Sequence, residues 1–135
     1  MYLLDTNICI YGLKGTYPAL NNKLLTIHPD EIAVSSITLA ELEYGAEKSK
    51  WSVQNRQRMQ SFLVNYNIIP FTENDSLAFG RIRANLESNG TPIGAYDMMI
   101  ASQSVARTLI VITHNVKEFN RVPGIVIEDW TMICS

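Results

Sequence analysis

Apolar residues fall in two rhythms along the chain. Short uninterrupted runs, Tyr2-Leu3-Leu4, Ile32-Ala33-Val34, Ile68-Ile69, Leu109-Ile110-Val111-Ile112 and Ile125-Val126-Ile127, end at Pro, Gly or polar clusters and predict five strands, the first buried and the fourth central. Between them, apolar positions recur every three or four residues, which predicts helices. These run from Ile8 to Leu13, from Pro18 to Ile27, from Ile37 to Ala46, from Ser52 to Tyr66, from about Glu73 to Ser88, through Met98-Met99-Ile100-Ala101 to Arg107, and over Val116 to Phe119. Strands separated by helices predict an α/β fold: a central, mostly parallel sheet of about five strands with helices on both faces.

Local signals sharpen the boundaries. Gly12 or Gly15 ends the first helix, and His28-Pro29-Asp30 marks a turn. Ser36 is the expected N-cap of the helix over 37–46. On that helix Ile37, Ala40, Glu41, Tyr44 and Gly45 share one face, which sets Glu41 among apolar neighbours, while Glu43 and Glu47 point elsewhere. Met59, Phe62, Leu63 and Tyr66 form the next core face, with Arg56 and Arg58 on the surface. Pro70 places the third strand at an edge. Thr72-Glu73-Asn74-Asp75 reads as a capping box, followed by apolar Leu77, Ile82 and Leu86, and Asn89-Gly90 closes the helix.

Composition narrows the class. The 135 residues point to one domain spanning 1–135, with 47% hydrophobic and 18% charged residues, enough apolar surface for a core without staples. No run reaches the ~18 apolar residues of a membrane span and no signal peptide is evident, so no membrane association is expected. Cys9 and Cys134, in apolar settings and without paired spacing, read as reduced thiols of a cytoplasmic protein. The net charge of −2 argues against strong non-specific nucleic-acid affinity. It does not exclude a metal-dependent nuclease, whose site must itself be acidic.

Three acids stand where the sheet's C-terminal edge would gather them. Asp5 follows the first strand, Glu41 lies on the helix after the second, and Asp97 opens the helix before Leu109. Thr113-His114-Asn115 follows the fourth strand. Each acid also has a plain structural reading: Asp5 or Thr6 as a helix cap, Glu41 reaching water from the edge of its stripe, Asp97 paired with a helix dipole. Together, hard oxygen donors suit Mg²⁺, with Mn²⁺ possible, and a phosphodiester substrate.

Four segments carry a resemblance over essentially the whole chain: Leu4-Asp5-Thr6-Asn7, Ser36 to Gly45, Pro92 to Ala101, and Thr113 to Phe119. The ending Glu128-Asp129-Trp130 adds to them. These resemble the PIN domain and, within it, the VapC toxins of bacterial type II toxin–antitoxin systems. The resemblance implies a Mg²⁺- or Mn²⁺-dependent endoribonuclease in which Asp5, Glu41 and Asp97 are the catalytic, metal-holding triad. Thr6, Asn7, Thr113 and Asn115 would line the site. Many PIN domains carry a further Asp where this chain has Asn115, so the resemblance leaves open whether a second cation is held. It also implies cleavage of structured RNA to a 5′-phosphate and a 3′-hydroxyl. The anticodon stem-loop of a tRNA is the expected target, initiator tRNA above others, with ribosomal RNA as the other substrate. Expected partners are a VapB-type antitoxin covering the site and a second copy in a homodimer, within a larger toxin–antitoxin complex.

Candidate phosphate contacts are Lys48, Arg81, Arg83 and Lys117, with Lys50 and Arg121 behind them; any of these can equally be plain surface charge. His114 and Glu118 are left open as contributors. A dehalogenase-type phosphatase would need a second acid where Asn7 stands. A receiver domain would need adjacent acids at its first strand end. The non-enzymatic alternative is a catalytically weak PIN-like module that binds RNA.

Overall fold

The computed structural model describes residues 1–132. Five strands, β1 (Tyr2–Leu4), β2 (Ile32–Ser35), β3 (Asn67–Ile69), β4 (Ile110–Ile112) and β5 (Val126–Glu128), form one sheet in the order β3-β2-β1-β4-β5. Every neighbouring pair is parallel, with Leu3 opposite Ala33 on one side and Val111 on the other. β1 therefore takes the middle of the sheet, β4 is interior, and Pro70 does follow an edge strand.

Seven helices connect the strands: α1 (Thr6–Lys14), α2 (Pro18–Thr26), α3 (Ser36–Lys48), α4 (Ser52–Leu63), α5 (Glu73–Ser88), α6 (Ala95–Arg107) and α7 (Val116–Phe119). The two-residue period of the strands divides the core. Leu4, Ile32, Val34 and Ile112 face Ile8, Leu20, Leu24, Leu42, Met59 and Leu63 of α1 to α4. Leu3, Ala33 and Val111 face Ile82, Leu86, Ile100, Ala101 and Phe119 of α5 to α7. The sheet is thus covered on both faces, as the apolar runs predict.

Several local expectations are corrected. Ser35 caps α3, its Oγ accepting from the Ile37 N–H at 3.0 Å, while the Ser36 hydroxyl accepts from the Phe71 N–H at 3.1 Å and ties α3 to the end of β3. The face of α3 that meets the core is Thr38, Leu42 and Ala46, not Ile37, Ala40, Tyr44 and Gly45; Tyr44 is 66% exposed. The observed face keeps the expected spacing but lies one residue further along, and its Thr38 is buried against the Thr6 hydroxyl at 3.0 Å. Leu77 likewise faces solvent. Arg56 is no plain surface charge, since it bridges Glu43 and Glu47 at 3.0 Å each. The Thr72–Asp75 capping box of α5 forms as expected. Cys9 is buried, and burial together with the Asp5 carboxylate pushes its thiol up, which fits an inert thiol. Cys134 lies outside the described residues.

Gly15, in the left-handed region at φ 66°, ends α1. Gly12 has a different reason to be glycine: a Cβ there would stand 2.9 Å from the Phe62 ring, where α1 meets α4. On the exposed side of α5, a Cβ at Gly80 would meet nothing within 4 Å. Gly80→Ala is therefore expected to stabilise by about 0.5–1 kcal/mol. Gly12→Ala gains the same propensity but overpacks at a cost of about 1–3 kcal/mol. Thermal unfolding should rank Gly80→Ala above the parent and Gly12→Ala below it; a Gly12→Ala melting point above the parent would refute this account of the α1–α4 contact.

Candidate active site

A wholly parallel sheet puts all strand C-termini at one edge. The chain reverses its direction of travel there, since β2 and β3 lie to one side of β1 and β4 and β5 to the other. The crevice between the ends of β1 and β4 is where open α/β sheets hold ligands. Asp5 follows β1, and Thr113 follows β4.

Asp5 caps α1, and it also belongs to the acidic cluster. Its Oδ1 accepts from the Ile8 N–H at 2.8 Å, and it is 2% exposed. Burial pushes its carboxyl up to about 6, with the nearby charges of Asp97 and Glu41 adding to this against the Thr113 hydroxyl and the Ile8 N–H. Asp97 sits in the first turn of α6, whose N-terminus opens on the same edge. Its carboxyl also rises to about 6, through burial first and then through Glu41 and Glu118. Glu41 is half-buried, and its Oε1 accepts from the Thr6 hydroxyl at 2.7 Å. Thr6 is in turn 3.0 Å from the buried Thr38 hydroxyl. The structure therefore brings Asp5, Glu41 and Asp97 within reach of one another's charge, with Thr6 and Thr113 between them.

The fourth position holds a linked pair. The Asn115 amide donates to Glu118 at 2.9 Å, and its backbone N–H donates to the Thr113 hydroxyl at 2.9 Å. Glu118 is half-buried and its charge acts on Asp97, so it is the cluster's fourth carboxylate. A one-turn helix over 116–119 gives no periodicity from which that orientation could be read. Asn7 is exposed on the first turn of α1.

Among the described residues, none of these four acids is paired with a Lys, Arg or His. Nor do three acidic, His or Cys side chains there already close on one point at coordination distance. Asp5 and Asp97, whose carboxyls are raised by burial and by neighbouring acid charge, stand with Glu41 and Glu118 as a set of hard oxygen donors without a counter-charge, which fits a hard divalent cation.

Beside Glu41 lies a cleft of about 290 Å³ between α1, α3 and α4. Leu13, Leu42 and Met59 contribute its apolar lining, and Lys14 and Arg58 its two cations. Neither cation belongs to an ion pair among the described residues. Sequence reasoning passed over both, because it is the helix packing that brings residues 14, 41 and 58 together. The cations it favoured have other contacts. Lys48 lies 5.2 Å from the Tyr44 ring and Lys50 5.5 Å from the Trp51 ring. Arg83 pairs with Glu87, Arg121 donates to the Pro92 carbonyl, and Arg81 lines a separate cavity with Ile82, Val105 and Pro123. Lys117 is exposed on α7, next to Glu118.

Residues 2–125 match the family model described as PIN domain. The chain is 41% identical to Ribonuclease VapC2 of Rickettsia felis over 131 residues, covering 96% of this chain and 98% of that protein. It is 40% identical over 129 residues to the tRNA(fMet)-specific endonuclease VapC of Salmonella typhimurium, covering 96% and 97%. Its fold superimposes with a TM-score of 0.91 on a chain in the crystal structure of DNA-bound VapBC from Salmonella typhimurium, at 40% identity and 96% and 97% coverage.

Proposed function

This chain belongs to the PIN domain family, among the VapC ribonucleases, and on that premise we propose that it is a Mg²⁺-dependent endoribonuclease toxin that cuts structured tRNA, with initiator tRNA the favoured substrate. The observation that carries the proposal is the gathering of Asp5, Glu41 and Asp97 at the sheet's C-terminal edge with no protein cation paired to them. The relative named a tRNA(fMet)-specific endonuclease supports the choice of substrate.

In this reading Asp5, Glu41 and Asp97 hold the cation, and Glu118 lies close enough to add charge. When bound, Mg²⁺ or Mn²⁺ would lower the pKa of a water and offset charge on the cleaved phosphate. The remaining work falls to side chains. The α1 N-terminus orients Asp5 through the Ile8 N–H. Thr6 fixes the Glu41 carboxylate. Asn115, whose amide donor is committed to Glu118, keeps its carbonyl oxygen as a neutral acceptor toward water or substrate. Lys14 and Arg58, from the cleft at Glu41, would meet phosphates flanking the cut.

The protein would act in the cytoplasm as a single domain and homodimer, with a VapB-type antitoxin covering the site. The relative crystallised as a VapBC complex supports the antitoxin. No helix among the described residues is long and apolar enough to cross a membrane.

The deciding experiment is cleavage of total tRNA by purified, antitoxin-free protein. Discrete fragments ending in 5′-phosphate are expected with Mg²⁺, and none with EDTA. Fragments that persist in EDTA would refute the metal dependence. Binding of tRNA without any cut, under either metal, would leave a binding module instead, and a cut confined to ribosomal RNA would replace the substrate.

A further inference from the structure

One group of side chains bordering the acidic cluster has no part in the ribonuclease reading above. Thr113 directs its hydroxyl toward Asp5, and Asn115 bonds Glu118. Between them, His114 meets Tyr17 with ring centroids 5.3 Å apart, tilted by 44°, and Tyr11 edge-on at 6.2 Å. The two tyrosines contact each other edge-to-face at 5.0 Å. Tyr11 is six residues beyond Asp5, about 9 Å along the axis of α1. His114 is thus one residue from each of two side chains that touch the cluster; the tyrosines are half-buried and the His114 side chain is 44% exposed.

The imidazole is held by hydrogen bonds as well as by its contacts with the two tyrosine rings. Its Nδ1 lies 3.0 Å from Asp129 Oδ2 and 2.9 Å from the Thr131 hydroxyl. A carboxylate can only accept, so Nδ1 carries the hydrogen and Nε2 is left free. Asp129 is itself fixed, accepting from the Thr131 N–H at 2.9 Å and the Thr131 hydroxyl at 2.6 Å. Ordering a half-exposed ring costs side-chain entropy and gains no full burial. The closing Glu128-Asp129-Trp130 motif thus divides its roles. Trp130 packs into the core, donating to Glu128 at 2.9 Å, while Asp129 serves His114.

We propose that the clamped His114 ring, with Tyr11 and Tyr17 behind it, is a stacking platform for an unpaired nucleobase next to the phosphodiester held at the acidic cluster. Asp129 is its positioning residue. The proposal rests on the ribonuclease reading and deepens it by naming how the RNA is gripped. Sequence-specific RNA binding uses splayed bases stacked on aromatic rings, histidine included. A flat, pre-oriented ring supplies that contact without drawing on the chain's basic residues, which number 11 against 13 acids.

The test compares His114→Ala, His114→Phe and Asp129→Asn in steady-state cleavage of an RNA the parent cuts. Stacking on one base is worth about 1–3 kcal/mol, so His114→Ala should raise KM by about 5- to 140-fold with kcat within about threefold. His114→Phe should recover most of the lost affinity, and Asp129→Asn should fall between. Equal failure of His114→Ala and His114→Phe, with the loss in kcat, would assign proton or hydrogen-bond chemistry to His114 and overturn the platform; an unchanged KM in His114→Ala would overturn it too. A second arm needs no cleavage. A single-stranded oligoribonucleotide carrying 2-aminopurine should lose fluorescence on binding the Asp5→Asn protein, and the loss should vanish with His114→Ala. If the parent cuts no RNA, the ribonuclease reading fails by that result alone, and absence of quenching separately overturns the platform.

Discussion

Replacing Asp5 by asparagine should abolish RNA cleavage by at least a hundredfold while making the metal-free protein more stable. The two effects come from one group. Asp5 is buried, and its carboxyl rises to about 6 through that burial and through the charges of Asp97 and Glu41. A carboxyl raised this way binds more protons in the folded than in the unfolded chain between about pH 4 and 6. Its folded form is therefore favoured at low pH, and that stability is lost as pH rises through 6. Asp97, also at about 6, acts in the same direction. At neutral pH the charge on Asp5 costs about 1–3 kcal/mol.

Asparagine removes that charge and retains the cap, since its side-chain oxygen accepts from the Ile8 N–H as well as aspartate's does. In thermal unfolding without divalent cations, Asp5→Asn should melt several degrees above the parent at pH 7.5. The gap should narrow toward pH 5. Adding Mg²⁺ should raise the parent's melting point and move that of the variant much less, because a cation that binds only the folded chain stabilises it by mass action. A variant that cleaves at the parental rate would remove Asp5 from the chemistry. A variant less stable than the parent at pH 7.5 would show that the cap, not the charge, dominates the residue's energetics.

Arg107→Met should be among the most destabilising single changes away from the site, by about 3 kcal/mol. Asp75 is fully buried in the capping box of α5, accepting from the Thr72 N–H at 2.8 Å and the Thr72 hydroxyl at 3.1 Å. Its counter-charge arrives from the end of α6, where the Arg107 guanidinium donates at 2.9 Å and 3.3 Å and also reaches the Pro70 carbonyl at 2.7 Å. Burial opposes the charge on Asp75, but Arg107 and Thr72 outweigh it and hold the carboxyl below its usual range. Removing Arg107 strands a buried carboxylate. The figure is set at the low end for a broken buried pair because the Arg107 side chain is 31% exposed and water can follow it in. A depressed carboxyl contributes stability above its ordinary pKa and loses it as pH falls, so the deficit of Arg107→Met should shrink below about pH 4. Adding Asp75→Asn to Arg107→Met should recover part of the loss. If the single variant melted within 2 °C of the parent, the pair would be no more than a surface contact.

Lys14, Arg58, Thr38 and Glu118 show where reading the sequence stopped. Each belongs to the candidate site or its support, and each is invisible to periodicity for its own reason. Lys14 and Arg58 meet at Glu41 only because α1 and α4 cross α3. Thr38 is buried by a hydrogen bond to Thr6, which an apolar-stripe argument discounts, and that is why the stripe on α3 was phased one residue away. Glu118 turns inward through Asn115, on a helix too short to show a face.

The strands, their parallel arrangement between two helical layers, the capping of α5 by Thr72 and Asp75, and the three acids at strand and helix ends are all legible in the order of residues alone. These follow from two local rules, the two-residue and 3.6-residue periods of apolar side chains and the hydrogen-bonding needs of helix ends, which act over a few neighbouring residues. The order β3-β2-β1-β4-β5, the charge coupling of Asp5 and Asp97 to Glu41 and of Asp97 to Glu118, the pairing of Asp75 with Arg107, and the clamp of Asp129 on His114 emerge from the folded chain alone. Those depend on residues 15 to 108 positions apart, whose approach is set by the packing of whole elements and leaves no periodic trace in the chain.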